Sequence, residues 1–285
     1  MLRAFTVAAM ISTSSMAFPP GDPQVLRIGM TGSLMEDVPS SQREKFAGEF
    51  TSLVHDFTGL KSVNLMGLDP WTSAKQLEAN KWDVGVFQGV EFAWVKAKFP
   101  KLQPFMIATQ AVPLKAVLVV RQDDKAAGFA DLKGKNVVIL HTKLHCRLFA
   151  EKGVGGKPNQ FFGKLTQNRS YEDALDAVLL DKAQGAIVDT VALDTYKDLA
   201  PGKFKRLKIV AESELFPPAV IVYERGALDD KLRKTLTDGM LKANQNDRGR
   251  ETLNAFHVTG FAAVPADYER ELSAILKSFP AQQQP

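Results

Sequence analysis

The densest grouping of chemically capable side chains in this 285-residue sequence is His141, His145 and Cys146. Histidines four apart share one face of a helix and can hold a metal together, and a neighbouring thiolate can join them. His141, however, falls at the end of an apolar run, before regular helix begins, and no acidic residue stands among the three. The cluster therefore reads first as ligand contact or helix capping, and only second as a metal site. Cys146 is the sole cysteine, which excludes an internal disulfide framework and any multi-cysteine zinc or iron–sulfur centre. A buried, inert thiol is the expectation for it. His55 lies off the apolar stripe of its helix and reads as solvated; His257, between Phe256 and Val258, reads as a core histidine. The H-E-x-x-H, G-x-S-x-G, Walker and G-x-G-x-x-G patterns are all missing. No catalytic residue, no cofactor and no enzyme activity is expected.

Other polar residues gain interest from where the elements put them. Residues 25–29, 61–66 and 83–87 read as strands. Between and after them, 41–58, a stretch from Asp69, and 90–96 read as helices. That alternation is the grammar of a parallel sheet covered by helices. A β-branched strand at 114–121 changes the register. Strands at 136–140 and 184–188 then alternate with helices at 143–152, 171–182 and 191–199. Strands at 207–211 and 219–223 follow, and 229–279 reads as mostly helical. The passages 83–90 and 184–191 echo each other: each is a small, β-branched strand that ends in polar residues and turns at once into a helix. Two α/β lobes of similar design are inferred, with 114–121 and 219–223 as the crossings between them.

In open α/β sheets the ligand lies beyond the carboxyl ends of the strands, where helix N-termini favour anions. Thr31, Trp71, Gln88 and Gly89 in one lobe and His141, Thr142, His145, Asp189 and Thr190 in the other are therefore the candidate ligand-binding residues. Trp71, beside a helix start, is a candidate enclosing wall.

Composition agrees with a packed protein. Hydrophobic residues make up 45% and charged residues 24%, which excludes wholesale disorder. The net charge of +4 is spread along the chain, so no nucleic-acid footprint is read. At the start, one Arg, an apolar stretch and Ser15-Met16-Ala17 make a signal peptide over 1–17 the expectation. No cysteine follows to carry a lipid, so an exported, unanchored periplasmic protein is expected.

Several segments resemble periplasmic type II solute-binding proteins, most of all the branch serving phosphate, phosphite and phosphonate ABC transporters. They are Val119-Val120-Arg121 with Asp131-Leu132-Lys133-Gly134-Lys135, Asp69-Pro70-Trp71 with Trp82 to Gly89, Ser170 with Ala174 to Val178 and Gly185 to Asp189, and Pro217 to Val222. The resemblance covers about residues 25–276. It implies a two-lobed fold, each lobe a mixed sheet flanked by helices, joined by two hinge crossings. Residues 25–113 plus 225–285 would form lobe 1 and 114–224 lobe 2. It implies capture of a small oxyanion by hinge closure, a monomer, and an ABC permease in the inner membrane as partner. Where the family usually places a Ser-Thr-Ser-Gly-like loop on the phosphonate oxygens, this sequence has His141-Thr142-Lys143-Leu144-His145, and only Thr142 keeps a hydroxyl. A ligand sensor signalling to a membrane partner, or a metal carrier using His141, His145 and Cys146, stay open as alternatives.

Overall fold

The structure is a computed structural model that describes residues 25–36 and 38–281. The expected signal segment, 1–17, lies outside the described residues. The chain opens with β1 (Val25–Thr31), α1 (Arg43–Thr58), β2 (Lys61–Leu68), α2 (Pro70–Glu78), β3 (Val84–Phe87), α3 (Gly89–Lys96) and β4 (Leu102–Thr109). Helix α1 buries Phe50, Leu53 and Val54 and stops at Gly59, whose φ of 70° lets its N–H turn back to the His55 carbonyl. Helix α2 starts where Asp69 accepts the N–H groups of Trp71 and Thr72, each at 3.0 Å, with Pro70 at the first position.

The second half holds β5 (Ala116–Arg121), β6 (Asn136–Leu140), α4 (Leu144–Val154), α5 (Pro158–Phe161), β7 (Lys164–Asn168) and α6 (Tyr171–Leu179). It continues with β8 (Gly185–Asp189), α7 (Thr190–Leu199), α8 (Pro201–Phe204) and β9 (Leu207–Glu212). The chain then returns through β10 (Val220–Glu224), α9 (Asp230–Met240), α10 (Asp247–Ala255), β11 (Gly260–Ala262) and α11 (Tyr268–Ser278).

Two sheets result, in the orders β11-β4-β10-β3-β1-β2 and β7-β6-β8-β5-β9. Each contains a parallel triplet, β2-β1-β3 or β7-β6-β8. Beside each triplet lies an antiparallel strand that has just arrived from the other half: β10 next to β3, and β5 next to β8. The echo between the two strand–helix passages is thus a repeat of whole-sheet design.

Three expectations need correction. The strands β5 and β10 are not themselves the crossings, because each is fully paired inside one sheet. The links 110–115 and 213–219 cross instead. For the same reason the division at residue 224 does not hold: β10 pairs with β3 and β4, so its residues belong with the first lobe. His257 is also not a core histidine; it is exposed, with a positive φ of 55°, at a turn after α10.

The two crossings lie against each other, with the Phe216 N–H donating to the Leu114 carbonyl at 2.9 Å. Apolar contact continues across them. Phe216 stacks on Phe279, just past the end of α11, and the Trp94 indole N–H donates to the Phe279 carbonyl at 2.9 Å. The sheets therefore share a packed base beside the links, with their strand ends left to form the site.

Candidate functional site

Thr31 ends β1. Its hydroxyl is fully buried and donates at 2.7 Å to Glu91, which also accepts the Gln88 N–H at 3.3 Å. Gln88 and Glu91 thereby form a reciprocal cap on α3. Burial pushes the Glu91 carboxyl above its usual range, against the hydrogen bonds from Thr31 and Ser33. Gly89 serves packing: a Cβ there would stand 2.4 Å from the Pro217 carbonyl oxygen, so only glycine lets α3 meet the return crossing. Trp71 is 6% exposed, within the core, and the Lys98 ammonium lies 4.8 Å from its ring centre. It does not stand out as an open wall.

In the second half, Asp189 ends β8 and accepts the Ala192 N–H at 2.7 Å, capping α7. Its other oxygen meets His145 Nε2 at 2.8 Å, and both side chains are buried. Burial works against the Asp189 charge, but the bond and charge of His145 outweigh it, and the carboxyl lies below its usual range. Thr190 is occupied by the first crossing: its hydroxyl donates to the Pro113 carbonyl at 2.6 Å and accepts the Lys115 N–H at 3.0 Å. His141 Nδ1 contacts the Asn168 carbonyl at 2.9 Å.

Helix α4 differs from α7. Lys143, at its N-cap position, makes no side-chain capping bond. Just before it, Thr142 is 3% exposed and its hydroxyl has no hydrogen-bond partner among the described residues. A buried hydroxyl normally finds one, and leaving it unpaired costs about 1–3 kcal/mol.

The two sets of strand ends face each other. Arg147, in α4, forms a forked ion pair with Glu36, in the loop after β1, and also donates to the His141 carbonyl. Sequence reasoning missed Glu36 and Glu91 as parts of this region, and the pairing of Arg147 with Glu36. Glu91 carried a signal, since Gln88 and Glu91 have capping-box spacing after a strand; the other two are joined only by the fold.

Two α/β lobes, each with parallel strands ending toward the other and joined by paired crossings, define a two-lobed type II solute-binding protein. The chain belongs to the family described as "ABC transporter, phosphonate, periplasmic substrate-binding protein", whose profile matches residues 40–268. Members bind solute for a membrane transporter and are not enzymes. The fold is similar to that of a binding protein component of an ABC phosphonate transporter from Pseudomonas aeruginosa (TM-score 0.60, 18% identity, 90% of this chain and 88% of that one). It is similar also to PhnD1 from Prochlorococcus marinus, solved with methylphosphonate (0.62, 14%, 90% and 98%). A third similar structure is the aliphatic sulphonate binding protein SsuA from Escherichia coli (0.53, 13%, 90% and 87%). No curated protein matches the chain in sequence. Among the described residues no helix is long and apolar enough to cross a membrane.

Proposed function

We propose that this protein captures a small oxyanion of the phosphonate class between its lobes and presents it to an ABC permease. The unpartnered, buried hydroxyl of Thr142 beside the uncapped start of α4 carries this reading. A helix N-terminus offers unpaired N–H groups and a favourable dipole to an anion. Arg147 lies next to that start, its charge paired with Glu36. Thr142 is also the one hydroxyl retained where the family's phosphonate loop is expected. The pair Asp189–His145 and the residues Thr31, Gln88 and His141 would shape the surrounding walls; Thr190, Gly89 and Trp71 would act through the crossing and the core. Closure would turn on the links 110–115 and 213–219.

Calorimetric titration with methylphosphonate, phosphite, phosphate and an alkanesulfonate tests the reading. At least one anion should bind, and Thr142→Val should weaken it by about tenfold or more, the worth of a hydrogen bond to a charged group. If none of the anions binds, or if Thr142→Val binds as well as the parent chain, the assignment fails.

A further inference from the structure

Three potential ligand atoms converge at the strand ends of the second sheet. They are a His145 ring nitrogen, Cys146 Sγ and an Asp189 carboxylate oxygen, all within 4.8 Å of one another. Their residues are 5%, 0% and 3% exposed. This is not the trio that spacing suggested: His141 is engaged with Asn168 instead, and the acidic ligand arrives from β8.

A hydrogen-bonded His–Asp pair needs no thiol. The thiol beside it adds the ligand type that distinguishes a zinc-like site from a site for a hard cation. The atoms lie near the spacing an ion needs and reach it with a small adjustment. Ligand atoms at about 2.0–2.3 Å from a tetrahedral zinc lie about 3.3–3.7 Å apart. His145 Nε2 and Asp189 Oδ2, now 2.8 Å apart, would separate by about half an ångström in that geometry. The Asp189 carboxylate is already oriented for it. Its Oδ1 is held by the Ala192 N–H, which leaves Oδ2 as the ligating atom. His145 and Cys146 are consecutive in the first turn of α4, so one backbone segment positions both.

We infer that His145, Cys146 and Asp189 form a site for a single zinc(II) ion or a similar thiophilic divalent cation, with the fourth coordination position open. On binding, the thiol gives its proton to solvent, the proton held between His145 Nε2 and Asp189 Oδ2 leaves for Nδ1 or for solvent, and the metal–ligand bonds form in place of that hydrogen bond. The inference goes beyond the solute reading and does not depend on which anion is captured.

The test uses the full chain, stripped with a chelator and titrated with zinc chloride, then separately with cobalt(II). About one equivalent of zinc should be retained after desalting. Cobalt should give a thiolate-to-metal charge-transfer band, which only sulfur ligation produces. Cys146→Ser should abolish that band, and both Cys146→Ser and Asp189→Asn should weaken zinc by about tenfold or more, as loss of metal-site contacts does. Absence of retained zinc, or a cobalt spectrum without the sulfur band in the parent chain, overturns the site whether or not the variants fold. Methylphosphonate titration in chelator separates the two readings: anion binding without zinc binding refutes the metal site alone, and zinc binding without anion binding refutes the solute reading alone.

Discussion

Glu91 shows how a buried acid shapes the candidate site. Its carboxyl is raised by burial, so the folded protein holds that proton above the pH at which the unfolded chain, with a pKa of about 4.3, releases it. Stability associated with the neutral acid is complete below the unfolded value and is lost as pH rises through the folded one. Glu91→Gln keeps an oxygen acceptor for Thr31 and Gln88 and removes the ionisation. The variant should therefore gain in melting temperature over the parent as pH is raised from 4 to 8. A difference that stays flat across that range would show that Glu91 ionises at its ordinary value. The strand-end residues themselves were legible in sequence, because polar residues that close an apolar run and open a helix are placed by the chain's own periodicity. Their partners were not. Thr31 and Glu91 are 60 positions apart, and Arg147 and Glu36 are 111 apart, so only tertiary structure pairs them. Nor does residue type reveal that Thr190 and Gly89 are occupied by the crossings.

At the scale of elements, strands with buried, β-branched stretches followed by capped helices were readable, and those that break the pattern were not. Strand β4 carries Pro104 in its interior, a residue that argues against a strand. It is accommodated where the pairing of β10 shifts register, between Ile221 opposite Met106 and Val222 opposite Pro104. Strand β7 lies at a sheet edge with no buried residue, and so lacks the apolar signal. Strand β11 spans only three residues within a tail that is otherwise helical. The contact of α3 with the return crossing gives a prediction at this scale. In Gly89→Ala the new Cβ meets Pro217 backbone, so crossing or helix must move, which costs about 1–3 kcal/mol for an overpacked site. At roughly 2–4 °C per kcal/mol, scanning calorimetry should register a clear fall in melting temperature. An unchanged value would mean that the crossing slides freely past α3.

For the whole molecule, the alternation of strands and helices exposed the two-lobed plan, while the exact crossings needed the pairing: a β-branched stretch looks the same whether it links two sheets or sits inside one. The ion pair of Arg147 with Glu36 ties one lobe to the other at the strand ends, opposite the packed base of Phe216 and Phe279. Both partners are about a third exposed, so the pair is worth about 0–1 kcal/mol and weakens in salt. That still changes the ratio of closed to open molecules by up to about fivefold. Small-angle scattering of the solute-free protein should find Glu36→Gln more expanded than the parent at low ionic strength, with the difference vanishing in concentrated salt. Equal radii of gyration at low salt would remove the pair as a latch.

The exchange of antiparallel strands between halves has a consequence for biogenesis. The first sheet holds β10 in its interior, between β3 and β4, although β10 is made more than a hundred residues after them. During synthesis the early strands must wait, with a gap where their middle neighbour belongs, until residue 224 has emerged. A nascent chain stopped short of that point exposes two unsatisfied strand edges, the kind of surface that holdase chaperones shield and that aggregates when unshielded. Ribosome-stalled fragments should therefore keep the first sheet's early strands, 25–109, protease-sensitive until β10 is available, whereas the second sheet, all of whose strands precede β10, can become resistant earlier.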